Sequence, residues 1–139
     1  MTRTILRGLS ASIGVVLLAM PVSAHHSFSA GYDSDKPVSV TGTLSEVRLE
    51  NPHSWFYVDV KDASGTVVRW GFEASTPTSL IRSGYKPDSL KVGEQVMVHG
   101  SHARDASQNI GAARDIIRAS DGKLFIVGLK GNGDTGNGY

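Results

Sequence analysis

The groups in this 139-residue chain that could do chemistry are five histidines and a small set of acidic and aromatic residues. There is no cysteine, so a bound metal would need nitrogen and oxygen ligands, and no disulfide can brace the fold. His25 and His26 adjoin, directly after Val22-Ser23-Ala24, whose small residues suit a signal-peptidase cut. Cleavage after Ala24 would make His25 the N-terminus. An α-amine titrates at about 7.7–8.0, so it sheds its proton at modest cost and can ligate metal. That amine, the Nδ1 of His25 and one more imidazole would form a three-nitrogen set suited to Cu(II). His53 is the first candidate for the extra imidazole, followed by His26, His102 and His99. His99 and His102 stand three apart, which on a strand points them to opposite faces unless a bend intervenes. The simpler reading leaves all five as surface residues, with His53 hydrogen-bonded to its own turn.

A second constellation is the ligand face Trp55, Trp70 and Glu73. Trp55, Tyr57, Trp70 and Phe72 fall on neighbouring strand-like runs, where rings could stack on bases or sugars. The competing and heavier reading places these rings in the core, because a small barrel needs large side chains inside. Glu73 follows Trp70 and Phe72 and is expected to be partly buried. A salt bridge to Arg48, Arg69 or Arg82 is the plainer account of it. No Gly-x-Ser-x-Gly, phosphate loop or His-Glu-x-x-His occurs, so catalysis has no positive support.

The elements that would position these groups are strands. Val38, Val40, Gly42 and Leu44 alternate with polar residues, and the apolar parity then slips to Val47 and Leu49. Such a slip is what a β-bulge produces. Asn51-Pro52 breaks the pattern and presents His53 at the mouth of a strand pair. Trp55–Val60 and Thr66–Glu73 are strands around a loop in which Gly65 takes the positive-φ position. Ser75-Thr76-Pro77 caps one short helix that Gly84 can end. Strands over 95–100 and 109–119 follow, with a last apolar run at 124–127. Three strands, a helix and two strands predict an all-β fold, a five-stranded OB-fold-like barrel with one short helix between strands 3 and 4. A plain sandwich would leave the helix unexplained.

The ends give the address. Arg3 and Arg7 precede an apolar core, Ile5–Met20, which is shorter than the roughly 20 residues of a membrane span. The expected organisation is a signal peptide at 1–24, an extended arm at 25–37, the barrel at 38–127 and a disordered Gly-rich tail at 128–139. A Sec-type signal implies a periplasmic or secreted protein with no membrane anchor after cleavage. Loss of Arg3 and Arg7 turns a formal net charge of +1 into one that is slightly negative. A surface so balanced has no footprint for nucleic acid.

Several pieces together carry a family resemblance: His25-His26-Ser27 after the signal, Thr41-Gly42-Thr43, Asn51-Pro52-His53, Trp70 with Glu73, Leu80 with Gly84, and Leu90-x-x-Gly93-x-x-Val96. The chain resembles an uncharacterised family of small exported bacterial proteins, DUF6152, over nearly the whole mature sequence to about Gly122. The resemblance implies an exported single-domain β protein and transfers no catalytic or binding residue. Its last loop, Ala103-Arg104-Asp105-Ala106-Ser107, departs from the Lys-Asp-Gly type of turn expected there. Separately, His25 at a new N-terminus looks like the histidine brace of exported copper proteins. The functional expectation is an exported binding module, with copper as candidate cofactor on His25, His26, His53 or His102. The alternative is a metal-free interaction or envelope-stress module that takes a small ligand, peptide or protein on the barrel face.

Overall fold

A computed structural model describes residues 28–128. The expected signal peptide at 1–24, His25, His26 and the tail after Gly128 lie outside the described residues. The elements run α1 (Phe28–Gly31), β1 (Tyr32–Arg48), β2 (Trp55–Lys61), β3 (Val67–Glu73), α2 (Pro77–Arg82), β4 (Gln95–Ala103), β5 (Ile110–Arg118) and β6 (Leu124–Ile126). The sheet order is β3-β2-β1-β4-β5-β6, and a parallel pairing of β3 with β5 closes the first five strands into a barrel. This is the expected five-stranded OB-type barrel, with α2 between the third and fourth strands. β6 is an addition that lies along the part of β5 that β3 does not reach.

The local signals explain the turns. The register of β1 against β2 slips between Leu44 and Glu46, where the apolar parity slips in the sequence. The Thr76 side chain accepts from the Ser79 amide and Pro77 opens α2, so one orphan donor of the helix start is satisfied. The Asn51–Pro52 peptide is cis.

The arm differs from expectation. Residues 32–37 belong to β1, not to an extended arm, and Tyr32 and Asp33 pair with Ala103 and His102 of a β4 that is three residues longer than the sequence suggests. Between Asp33 and Pro37 the register slips, which hides the strand from a period-2 reading.

Inside the barrel, Leu44, Phe56, Val58, Phe72, Val96, Val98 and Ile116 are fully buried. Each such side chain contributes about 1.5–3 kcal/mol of burial free energy. Two strand crossings are close enough to demand glycine. A Cβ on Gly100 would lie 1.9 Å from the Ala112 carbonyl oxygen, and one on Gly42 would lie 2.4 Å from that of Asp59. Gly100 stands beside the register shift that leaves Arg114 unmatched on β5.

Candidate functional site

Alternation along β2 and β3 sets two different faces. Phe56 and Val58 point into the barrel, so Trp55 and Tyr57 point out. Across the β2–β3 ladder Trp55 stands opposite Glu73, Tyr57 opposite Gly71, and Asp59 opposite Arg69. The expectation that all four rings fill the core is therefore corrected. Phe72 is core and Trp70 is half-buried against it, with its ring 5.7 Å from that of Phe72. Trp55 and Tyr57 lie on the outer face, their rings 6.2 Å apart and within 19° of parallel.

A groove of about 440 Å³ runs along this outer face. Trp55 and Tyr57 form one wall, Gly71 the floor, and Gln108, Asn109 and Ile110 the other wall, with Arg69 at one end. The second wall is in place because β3 closes onto β5: the Gly71 amide donates to the Asn109 carbonyl at 2.9 Å. A Cβ on Gly71 would come within 3.2 Å of the Tyr57 ring and 3.7 Å of the Trp55 ring, so the missing side chain is what lets both rings pack down onto β3.

The arginines beside the groove are already paired. Arg48 Nε lies 2.6 Å from Glu46, and Arg69 lies 3.0 Å from Asp59 and 3.9 Å from Glu46. The Arg48 guanidinium also sits 5.1 Å from the Tyr57 ring centroid. Hydrogen bonding to Arg69 holds the Asp59 carboxyl below its ordinary range, and Glu46 holds the Arg48 guanidinium above its own. Exposed pairs of this kind add little to stability, but they leave the arginines beside the groove matched by carboxylates.

At the Trp55 end of the groove, three residues far apart in sequence converge. The Tyr32 hydroxyl donates to one oxygen of Glu73, and His53 Nδ1 is paired with the other. The expected salt bridge from Glu73 to Arg48, Arg69 or Arg82 is not what forms, because Arg48 and Arg69 are engaged with Glu46 and Asp59. Nor is His53 bonded to its own turn. Tyr32 lies in a small outer cluster with Ala103, Ala112 and Ile110. Burial there, together with the hydrogen bond and charge of Glu73, pushes its phenol far above the usual value, so it stays a donor. A carboxylate only accepts, so His53 donates to Glu73 from Nδ1, which leaves Nε2 as the ring nitrogen for any further partner.

The remaining histidines have separate partners. His99 Nδ1 is 2.7 Å from Asp115, whose other oxygen takes the Arg114 guanidinium at 2.8 Å. His102 Nδ1 is 2.9 Å from the Ala103 carbonyl, and its ring meets Trp70 edge-on at 5.2 Å. Thus the structure joins His53 with Glu73 beside Trp55, and His102 with Trp70. Among the described residues no three His, Asp or Glu side chains converge as a metal-binding set.

Tyr32, Gly71, Gln108 and Asn109 carry no sequence signal for this site, because only the β1–β4 and β3–β5 pairings bring them to it. The outward parity of Trp55 and Tyr57 was legible, and the preference for large rings in the core obscured it.

No curated protein and no solved structure matches this chain. The model of a family of unknown function, DUF6152, matches residues 13–112, and the chain belongs to that family.

Proposed function

We propose that this protein is an exported, non-enzymatic binding module that takes a small ligand or a short peptide in the groove over Gly71. The carrying observation is the half-buried pair Trp55 and Tyr57 on the outer face, with Gln108 and Asn109 beside them. Concave sites of this size with a few polar groups around an apolar surface are the usual form of small-ligand sites. The face also coincides with the side of an OB barrel, strands 2 and 3 with the loop before strand 5, on which such folds take ligands. That coincidence is an argument from fold alone. The test is a panel of sugars, amino acids, short peptides and nucleosides, followed by NMR through the indole N–H signals of Trp55 and Trp70. Ligands that move Trp55 and the amides of 108–110, and leave Trp70 still, support the reading. Ligands that instead cluster at Tyr85, Leu124 and Ile126, on the second and smaller groove, refute it.

A second reading is copper held by His25 and His53, with His26 or His102 as further ligands. What favours it is the Glu73 carboxylate on His53 Nδ1, since metal-binding imidazoles characteristically give their other nitrogen to such a partner. In that reading Glu73 orients the ring and Nε2 meets the metal. The protein cleaved after Ala24 should bind one equivalent of Cu(II), and one additional residue before His25 should remove most of that affinity. Equal, weak binding by both forms would rule copper out.

A further inference from the structure

We infer that the ligand of the Trp55–Asn109 groove is an uncharged glycan, bound with one pyranose ring over Gly71 between the aromatic and the amide walls. The inference rests on the groove reading above and names its ligand class.

Three features of the site select this chemistry. The first is the asymmetry of the walls. A pyranose ring has an apolar face of C–H groups and a rim of hydroxyls. Trp55 and Tyr57 offer ring surface on one side, while Gln108 and Asn109 offer amide donors and acceptors on the other. Gln108 gives its NH2 to Asp105 at 2.8 Å, which fixes the side chain and leaves its carbonyl oxygen to accept from a hydroxyl.

The second feature is electrostatic. Phosphorylated or carboxylated ligands need an available cation, and the two arginines on this face are taken by Asp59 and Glu46. Cationic ligands meet the mirror-image obstacle, because the same carboxylates are neutralised by the same arginines. An uncharged polyhydroxyl compound requires neither ion pair to open. Nucleotides fail on the same ground, since their bases could stack but their phosphates would find no partner.

The third feature is the Gly71 floor. Gly71 stands opposite Tyr57 and has no Cβ, so the Tyr57 and Trp55 rings settle onto β3 and form an aromatic surface on which a sugar ring can lie.

The decisive experiment titrates the purified Trp70→Phe protein with maltohexaose and with chitohexaose, reading Trp55 fluorescence and calorimetric heat at low and at high salt. The expected result is saturable binding to at least one hexamer, changed less than twofold by salt. Trp55→Ala, followed by calorimetry, should weaken it at least tenfold, and Asn109→Ala should weaken it severalfold with an unchanged melting curve. Gly71→Val should also weaken binding by displacing the Tyr57 and Trp55 rings. Binding of adenosine or a neutral tripeptide at Trp55, with neither hexamer active, would overturn the glycan assignment and leave the groove reading standing. Strong weakening by salt would overturn it as well, because it would mean that Arg69 binds an anion. Failure of every compound in both salts to perturb Trp55 would overturn both readings together.

Discussion

The two faces of the β2–β3 hairpin are built from the same strands by opposite rules. On the inner face large residues meet large ones: Phe56 pairs with Phe72, and Val58 with Trp70. Phe56, Phe72 and Val58 are fully buried, as close packing demands. On the outer face Tyr57 meets Gly71, and Trp55 meets a Glu73 that is turned toward Tyr32 and His53. Pairing a ring with an absence lets the Tyr57 and Trp55 rings settle over Gly71, outside the core. The inner face therefore belongs to stability and the outer one to the proposed recognition, although both depend on the same ladder of backbone hydrogen bonds.

Substitutions on the two faces should separate these properties. Phe56→Ala or Phe72→Ala should cost about 3–5 kcal/mol in urea unfolding, the range for emptying a buried aromatic site. Trp55→Ala, two atoms of backbone away from Phe56, should cost less than about 1.5 kcal/mol and abolish ligand binding. Equal losses from the two would break the comparison. Glu73→Gln weakens a contact that joins the outer face to β1 and to the loop before β2. A hydrogen bond to a charged group is worth about 1.5–3 kcal/mol, so a loss of that order is expected, with faster amide exchange at Ser54 and Tyr32. Tyr32→Phe should reproduce part of it.

Tyr85 sharpens the same contrast from inside. It is buried against Phe56 and Phe125, and its hydroxyl has no partner among the described residues. Tyr85→Phe should therefore be neutral or slightly stabilising at pH 7, because no hydrogen bond is lost. Burial raises the Tyr85 phenol from 10.0 to about 12, with Asp88 and Glu94 adding to the effect. Above pH 10 the unfolded chain ionises this group while the folded protein does not. Its contribution is complete below pH 10 and is lost as pH rises through about 12. The alkaline limb of a stability–pH curve should be shallower in Tyr85→Phe than in the parent. The smallest effect should come from Gly71→Ala, in which the Tyr57 ring gives way by a few tenths of an ångström. Its melting temperature should stay near the parent value while ligand affinity falls.

Local chemistry made most of the barrel legible in the sequence. The parity slip after Leu44 marked the bulge, Thr76-Pro77 marked the start of α2, and Gly65 and Gly84 marked positive-φ turns that the structure contains. Each of these signals acts within a few residues of itself. The site was less legible because its parts meet only across the closed sheet. His53 and Glu73 could be singled out, but their union with Tyr32 depends on six residues of β1 whose broken register erased the usual alternation. Gln108 and Asn109 look like ordinary polar loop residues until the parallel β3–β5 seam sets them beside the rings. Arg69 had two plausible carboxylates within strand reach besides Glu73, and cross-strand pairing with Asp59 decided the matter.

The length of β1 has a kinetic consequence. Its last stretch, from Thr43 to Arg48, pairs with β2 across a short turn, whereas the longer part before it pairs with β4, from Tyr32 with Ala103 to Thr43 with Gln95. The β1–β2–β3 meander and the β4–β5 hairpin can each form from near neighbours, but the two seams that join them are long-range. Chains dominated by such non-local pairings cross a high loop-closure barrier and fold on the slower scale of milliseconds to seconds. Emerging N-terminus first, the leading half of β1 must wait, with its edge unpaired, until β4 is available. Both walls of the groove are complete only after the β3–β5 seam has formed, so the proposed binding surface exists only once the barrel has closed.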